Sequence, residues 1–271
     1  MSTLHVNGYD MAYAEAGAGE PIVLVHGTLQ DQRYWSPQMA PFAAEYRVIA
    51  LSLRHFWPAQ WDGQGPGFTI AQHVDDVAAF IRALGAGPVR LIGHSRGGHI
   101  AFRVAQHHPD LLRAVVLAEP GGELDETLGG TPAVAGLGRQ AAVFAAAAEK
   151  VRAGAIEEAL SEFADYTGGP GAWARRPEPR RQVARDNART LLGQINEQRS
   201  PFSRAAAEAI RPKTLLVGGA NTQPNFTTII QALLPVIAGA RAVTIPNAGH
   251  SMSLDNPAAF NAAVLEFFAE P

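Results

Sequence analysis

Val89-Arg90-Leu91-Ile92-Gly93-His94-Ser95-Arg96-Gly97-Gly98 runs directly into His99-Ile100-Ala101-Phe102-Arg103-Val104-Ala105. A short β-branched and leucine run climbs into Gly-His-Ser-Arg-Gly and leaves as an alanine-rich helical pattern. The stretch therefore reads as strand, tight turn and helix, with Ser95 at the apex. In a Gly-X-Ser-X-Gly turn the serine is forced into a strained backbone conformation. The flanking glycines are needed because side chains there would collide with the neighbouring strand and helix. The Ser95 hydroxyl then stands clear of the sheet edge. The backbone N–H of Arg96 opens a helix, where it can stabilise negative charge. The pentapeptide alone also suits an ordinary glycine-rich turn; the strand before it and the helix after it favour a nucleophilic serine.

Outward from this turn, runs that are apolar on both faces recur. They are Pro21-Ile22-Val23-Leu24-Val25, residues 47–53, 112–118 and 214–218, and finally 241–245. Each has the pattern of a buried parallel strand. Helical patterns lie between them at residues 70–84, 99–106, 226–237 and 258–268. Strands alternating with helices through right-handed crossovers give an α/β fold with a doubly wound, mostly parallel sheet. Residues 4–6 and 11–15 flank Asn7-Gly8, a hairpin signal that adds antiparallel strands to one edge. From 122 to 205 the alternation stops. Helical patterns at 134–153, 156–166 and 180–196 are broken there by Gly168-Gly169-Pro170-Gly171 and Arg176-Pro177-Glu178-Pro179. A connection longer than ~15 residues is more often functional than incidental, so 122–205 is expected to be an inserted helical lid. Residues 1–121 and 206–271 then form the core.

The bulk numbers narrow the function classes. With 271 residues, 47% hydrophobic and 17% charged, the chain is long enough for one large α/β domain with an insertion. A formal net charge of −3 offers no electrostatic basis for binding nucleic acid or a membrane surface. The absence of cysteine excludes disulfides, thiol chemistry and cysteine metal sites. The N-terminal residues lack the basic start and apolar core of a signal peptide. No apolar run approaches the ~20 residues that span a bilayer. The expectation is a soluble, cytoplasmic protein of undetermined oligomeric state.

Three pieces in order, His26-Gly27 after the third strand, Gly93-His94-Ser95-Arg96-Gly97, and Gly249-His250 near the end, carry a resemblance. The chain resembles the α/β-hydrolases of the small, lidded, cofactor-free kind over nearly its whole length. A serine hydroxyl is a weak nucleophile at neutral pH and needs a base, which in turn needs an acceptor to hold its tautomer. Of the nine histidines, His250 sits in the loop directly after the last strand. Ligand-facing loops of parallel sheets lie at that edge, and there the resembled fold keeps its base. His26 is read as a buttress of the loop that follows it, and His94 as packed.

The acid departs from the usual pattern. Most of the family places an Asp shortly after the strand ending at Gly218, but here Gly218-Gly219-Ala220-Asn221-Thr222-Gln223-Pro224-Asn225-Phe226 holds no carboxylate. Asn221 stands in the expected place, and an amide cannot stabilise an imidazolium as a carboxylate does. Glu119, directly after the preceding strand, is the alternative. Some α/β-hydrolases, zearalenone-type lactonases among them, carry their acid there, and the chain is similar to them at that point. Helix capping and a lid salt bridge are the lesser readings of Glu119.

An oxyanion needs two N–H groups aimed at one point. Arg96 offers one by position and Thr28 the other, with Leu29 as second choice. The Thr28 hydroxyl would add a donor or cap the following segment. Candidate substrate-binding residues are Leu29, Tyr34 and Trp35 after the oxyanion loop, His55, Trp57 and Trp61 in the loop after the second parallel strand, and Phe144 and Trp173 in the lid. The aromatic loop reads either as a pocket wall for an apolar or ring-containing group or as packing under the lid. The lid arginines read mainly as a solvated face. These residues point to a serine hydrolase of carboxylic esters or lactones acting on a small molecule, without metal or cofactor. C–C bond hydrolysis or cofactor-free perhydrolase chemistry on the same triad, and a ligand-binding sensor that turns over slowly or not at all, remain alternatives.

Overall fold

The computed structural model describes residues 1–130, 139–195, 197 and 199–270. Among them, eight strands form one sheet in the order β1-β2-β4-β3-β5-β6-β7-β8. The strands are β1 (Ser2–Val6), β2 (Tyr9–Ala16), β3 (Pro21–Val25), β4 (Arg47–Leu51), β5 (Val89–His94), β6 (Leu112–Ala118), β7 (Lys213–Gly219) and β8 (Arg241–Ile245). The β1–β2 hairpin is antiparallel and joins β4 antiparallel, while every pairing from β4 to β8 is parallel. Helices α1 (Ser36–Ala43), α2 (Ile70–Leu84) and α3 (Arg96–His107) follow β3, β4 and β5. Between β6 and β7 come α4 (Arg139–Arg152), α5 (Ile156–Gly168), α6 (Ala172–Arg175), α7 (Glu178–Asp186), α8 (Thr190–Gln194) and α9 (Arg204–Glu208). Helices α10 (Pro224–Leu233), α11 (Met252–Asp255) and α12 (Pro257–Ala269) complete the chain.

Strand periodicity sorts the apolar residues into two layers. Val23, Val25, Ile49, Leu51, Leu91, Val115 and Leu117 face Val77, Phe80, Ile100, Phe102, Ile229 and Leu233 from α2, α3 and α10. Their neighbours Ile22, Leu24, Val48, Ala50, Ile92, Val116 and Val217 face Phe42 of α1 and Phe260, Val264 and Phe267 of α12. Each buried Val, Leu, Ile or Phe side chain contributes about 1.5–3 kcal/mol by leaving water, and burial on both faces is why the strand centres read as consecutive apolar residues. Helix α2 starts at Thr69, whose hydroxyl accepts from Gln72 N–H at 3.0 Å, and stops at Gly85 in the left-handed region.

The β6–β7 insert has its own apolar centre, in which Phe144, Leu160, Phe163, Trp173 and Leu191 meet Leu29 from the loop after β3. An isolated bridge pairs Leu124 with Phe202 at its base, and Phe202 belongs to the main core. The helical pattern at 180–196 is two helices, not one. Asn187 breaks it because its side chain is committed elsewhere, donating to Asp31 Oδ2 at 2.7 Å and accepting from Trp57 N–H at 2.8 Å. Helix α4 begins at Arg139; the earlier part of the expected 134–153 helix, and Asn196 at the end of the 180–196 pattern, lie outside the described residues. Among the described residues no helix is long and apolar enough to cross a membrane.

Candidate active site

The turn between β5 and α3 holds Ser95 at φ 54°, ψ −115°, a region sparsely populated by non-glycine residues. Neighbours over-determine it: Ser95 N–H donates to Ala118 O at 2.9 Å, and Ser95 O accepts from Gly121 N–H at 2.9 Å. Close approach explains the flanking glycines. A Cβ on Gly93 would lie 2.2 Å from Gly97 O, and one on Gly97 would lie 2.2 Å from Val25 O. Although Ser95 is the N-cap of α3, its hydroxyl makes no capping bond. It lies 3.0 Å from His250 Nε2 instead.

On its other side the imidazole meets Glu119, with Nδ1 at 2.6 Å from Oε2. A carboxylate only accepts, so Nδ1 carries the proton and Nε2 is left to accept from the serine. Glu119 follows β6 with φ 42°, and its fully buried carboxylate is otherwise satisfied by the loop after β7. Gly219 N–H donates to Oε1 at 2.7 Å and the Thr222 hydroxyl to Oε2 at 2.7 Å. Asn221 contributes only backbone here: its N–H donates to Ala248 O at 2.8 Å and the residue is exposed. Ser95, His250 and Glu119 are thus brought together, and Asn221 is not in the set.

Further contacts hold the imidazole. Phe226 stacks on it with ring centroids 3.7 Å apart. His94 Nε2 donates to His250 O at 2.8 Å. The His94 ring is stacked on Tyr34 at 4.8 Å and, buried beside His250, is held neutral, well below the ordinary histidine range. The Tyr34 hydroxyl accepts from Ser253 Oγ at 2.8 Å, and burial raises its pKa. His26 receives Leu53 N–H at Nε2, 3.0 Å, and donates from Nδ1 to Gly27 O at 2.9 Å. Burial pushes its pKa down from 6.5 to about 4.

The loop after β3 lies against the serine, since a Cβ on Gly27 would come within 3.0 Å of Ser95 Cβ. That places Thr28 beside the start of α3, where Arg96 is the first residue and its N–H has no acceptor within the helix. The Thr28 hydroxyl neither caps nor faces the serine; it donates to Gln194 Oε1 of α8 at 2.9 Å. The Arg96 side chain turns away from the serine into a fully buried pairing with Glu197.

Other expected substrate residues fall in four places. Tyr34 and Trp35 are corrected to the core: both pack in the apolar layer with Phe42 and Phe260, because the turn capped by Asp31 aims them at the sheet. His55 and Trp61 stack with Phe68, Trp61 lying 4.6 Å from His55 and 5.0 Å from Phe68. Gly193 of α8 sits against Trp61 and Phe68, so this part of the loop packs beneath the insert. Trp57 lies under the Arg33 guanidinium, 3.9 Å from its ring centroid. Leu29, Phe144 and Trp173 line the apolar centre of the insert. Arg185 pairs with Glu157 and Glu178, and Arg33 reaches Asp186 at 2.8 Å.

A serine at a strand-to-helix turn, a histidine after the last strand and a buried carboxylate meet on one edge of a doubly wound sheet. The chain belongs to the alpha/beta hydrolase family, whose family model matches residues 22–263. It is 27% identical over 269 residues, 96% of this chain and 98% of the relative, to a Mycobacterium tuberculosis protein named "Putative non-heme bromoperoxidase BpoC". Among solved structures it is similar to a hydrolase from Pseudomonas aeruginosa PA01, with a TM-score of 0.82 and 24% identity over 99% of this chain and 98% of that one. The enol-lactonase from Burkholderia xenovorans LB400 gives a TM-score of 0.77 and 20% identity over 99% and 100% of the two chains.

Proposed function

We propose that the protein is a serine hydrolase of carboxylic esters or lactones with apolar or ring-containing groups. The observation that carries this reading is the continuous line from Ser95 Oγ through the His250 ring to Glu119, with contacts of 3.0 and 2.6 Å. In the proposed cycle His250 Nε2 takes the hydroxyl proton as Ser95 Oγ attacks the carbonyl carbon. The N–H groups of Thr28 and Arg96 hold the tetrahedral oxyanion, a role typically worth about 10²–10³ in kcat per donor. Collapse expels the alcohol, which takes the proton from His250, and leaves an acyl-Ser95. Water, deprotonated by the same imidazole, then releases the acid. Glu119 stabilises the imidazolium at each stage. The β6–β7 insert acts as the lid over this site. An epoxide hydrolase would need a carboxylate nucleophile where Ser95 stands.

A second reading, perhydrolase chemistry, is favoured by the name of the full-length Mycobacterium tuberculosis relative. Hydrogen peroxide would replace water at the acyl-enzyme, giving a peroxy acid that oxidises bromide and returns the carboxylic acid. Turnover of p-nitrophenyl acetate and butyrate, with a panel of lactones beside them, tests the first reading. Bromination of monochlorodimedone in acetate, peroxide and bromide tests the second. Both require that Ser95→Ala be inactive and that a fluorophosphonate label Ser95. Equal turnover by wild type and Ser95→Ala would end both, and no turnover by either protein would leave a binding protein on this fold.

A further inference from the structure

Thr28 and Arg96 come from different strand ends, yet their side chains run to one short piece of chain. The Thr28 hydroxyl donates to Gln194 Oε1 at 2.9 Å. The Arg96 guanidinium grips both carboxylate oxygens of Glu197, with Nη2 at 2.6 Å from Oε1. Gln194 ends α8, and the Glu197 N–H returns to Gln194 O at 3.4 Å, so the two residues are tied to each other as well as to the donor residues. Side-chain exposure is 0% for Arg96 and 2% for Glu197, and a two-pronged charge-assisted pair in such surroundings is geometrically stiff.

The rest of the cluster holds the guanidinium less completely. Nη2 also lies 2.7 Å from His73 Nδ1, and burial together with Arg96 keeps that ring neutral. The Phe68 ring lies 5.0 Å from Arg96 Cζ. Arg199 offers Glu197 a second cation at 3.2 Å. Arg96 Nε is buried without a hydrogen-bond partner among the described residues. Glu197 is therefore the one carboxylate anchor, among the described residues, of the residue that opens α3 directly after Ser95.

We propose that Gln194 and Glu197 are positioning residues for the oxyanion hole: their side-chain ties to Thr28 and Arg96 set the distance between the N–H groups of those two residues. This rests on the esterase reading above. Neither residue touches substrate; each acts through a donor residue. A misplacement of ~1 Å costs about 100-fold in rate, so loosening either tie lowers kcat while leaving ground-state binding alone. Charge makes a competing account predict the opposite. Arg96 and Arg199 against Glu197 carry one net positive charge, and Glu197→Gln raises it to two. If the cluster acted only through its field, a developing oxyanion would be better stabilised and kcat would rise.

The experiment uses the full chain with p-nitrophenyl butyrate, comparing wild type, Ser95→Ala, Glu197→Gln, Glu197→Asp and Gln194→Met. A trifluoromethyl ketone of matched length, which adds to the serine as an oxyanion, is titrated beside the corresponding alcohol, which does not add. The downfield proton signal of His250 Nδ1 reports on the catalytic hydrogen bond. For Glu197→Gln the expected result is a fall in kcat of about 30–100-fold and an equal loss of ketone affinity. KM, alcohol affinity and the Nδ1 signal should stay near wild type, and Glu197→Asp should recover part of the loss. Gln194→Met should lose about 10-fold in the same two quantities. Unchanged or raised kcat in Glu197→Gln, or a loss shared equally by the alcohol, overturns the proposal. Should Glu197→Gln not fold, the charge-free triple Arg96→Met, Glu197→Met and Arg199→Met takes its place, since apolar replacement of a buried ion pair or triad is often neutral. Wild-type ketone affinity in that protein refutes the proposal. Turnover by Ser95→Ala would sink the esterase reading itself; an inactive Ser95→Ala beside an unimpaired Glu197→Gln sinks only the positioning role.

Discussion

Replacing Glu119 by glutamine removes one charge, and the hydrogen bonds around it decide which nitrogen of His250 keeps the proton. The carboxylate accepts from three donors, Gly219 N–H at 2.7 Å, the Thr222 hydroxyl at 2.7 Å and His250 Nδ1 at 2.6 Å. Glutamine offers one oxygen and a donating NH2 group. With its oxygen on Gly219, the NH2 faces Thr222, whose hydroxyl can rotate to accept, and His250 Nδ1, which must lose its proton to accept. The proton then sits on Nε2, facing Ser95, and the imidazole cannot act as base. The flipped amide keeps the useful tautomer but sets its NH2 against the buried Gly219 N–H, at a cost of about 1–3 kcal/mol for an unmade bond. The first orientation wins, and the enzyme is held in the wrong tautomer.

In a triad of this kind, trading the acid for its amide lowers kcat by about 10⁴, equivalent to about 5.5 kcal/mol of transition-state stabilisation. The same scale is expected here, with KM for p-nitrophenyl butyrate unchanged within about threefold, because Glu119 touches the base and not the ester. Steady-state kinetics of wild type and Glu119→Gln at pH 7.5, with thermal melts to show that both fold, make the measurement. Retention of more than a tenth of wild-type kcat would refute the assignment of Glu119 as the acid.

Asn221→Ala should change kcat by no more than about twofold, as expected of an exposed side chain; a loss comparable to Glu119→Gln in the same assay would return the acid's role to the loop after β7. Thr222→Val removes one donor from Glu119 Oε2 and should cost about 1 kcal/mol, seen as a roughly fivefold lower kcat. Gly97→Ala should leave little folded protein by circular dichroism, since its Cβ would lie 2.2 Å from Val25 O and backbone cannot yield as a side chain can. His26 ties stability to pH: the unfolded chain binds its proton near pH 6.5, the folded chain only near pH 4, so stability is full above 6.5 and falls as pH drops between them. That one ring accounts for about 3 kcal/mol, with His73, His94 and His99 shifted the same way; urea unfolding with equal midpoints at pH 7.5 and 4.5 would contradict it.

The features legible in the chain are those encoded locally. Strands buried on both faces carry consecutive apolar residues, so β3 and the central parts of β5, β6 and β7 stand out. The nucleophile turn needs its glycines at fixed offsets from Ser95, and the lack of any carboxylate in 218–226 turns attention to Glu119. Contacts between loops distant in sequence leave no such mark. Thr222 looks like any hydroxyl beside Asn221, and Phe226 like the start of an ordinary helix, although it covers the His250 ring. Gln194 closes a helical pattern and Glu197 lies just past it, and neither position marks a tie to Thr28 or Arg96. Tyr34 and Trp35 mislead for a related reason: an aromatic pair just past an oxyanion loop suits either a pocket or a core. Only the turn set by Asp31 decides between them. The 180–196 pattern divides at Asn187 through bonds to Asp31 and Trp57, partners more than a hundred residues away.

The carboxylate after β6 and the lack of one after β7 are one arrangement. Strands β5, β6 and β7 are adjacent in the sheet, so a carboxylate at the end of either β6 or β7 can approach an imidazole serving the end of β5. Both cannot do so at once: two carboxylates beside one ring would repel, and one would be driven to hold a proton. With Glu119 turning inward at φ 42°, the loop after β7 is left to supply donors, and it does so through Gly219 N–H and the Thr222 hydroxyl. An aspartate at 221 would add charge next to the residue that hydrogen-bonds Glu119. An exposed asparagine adds none, so the amide after β7 is compatible with a carboxylate at 119 that takes its donors from the same loop.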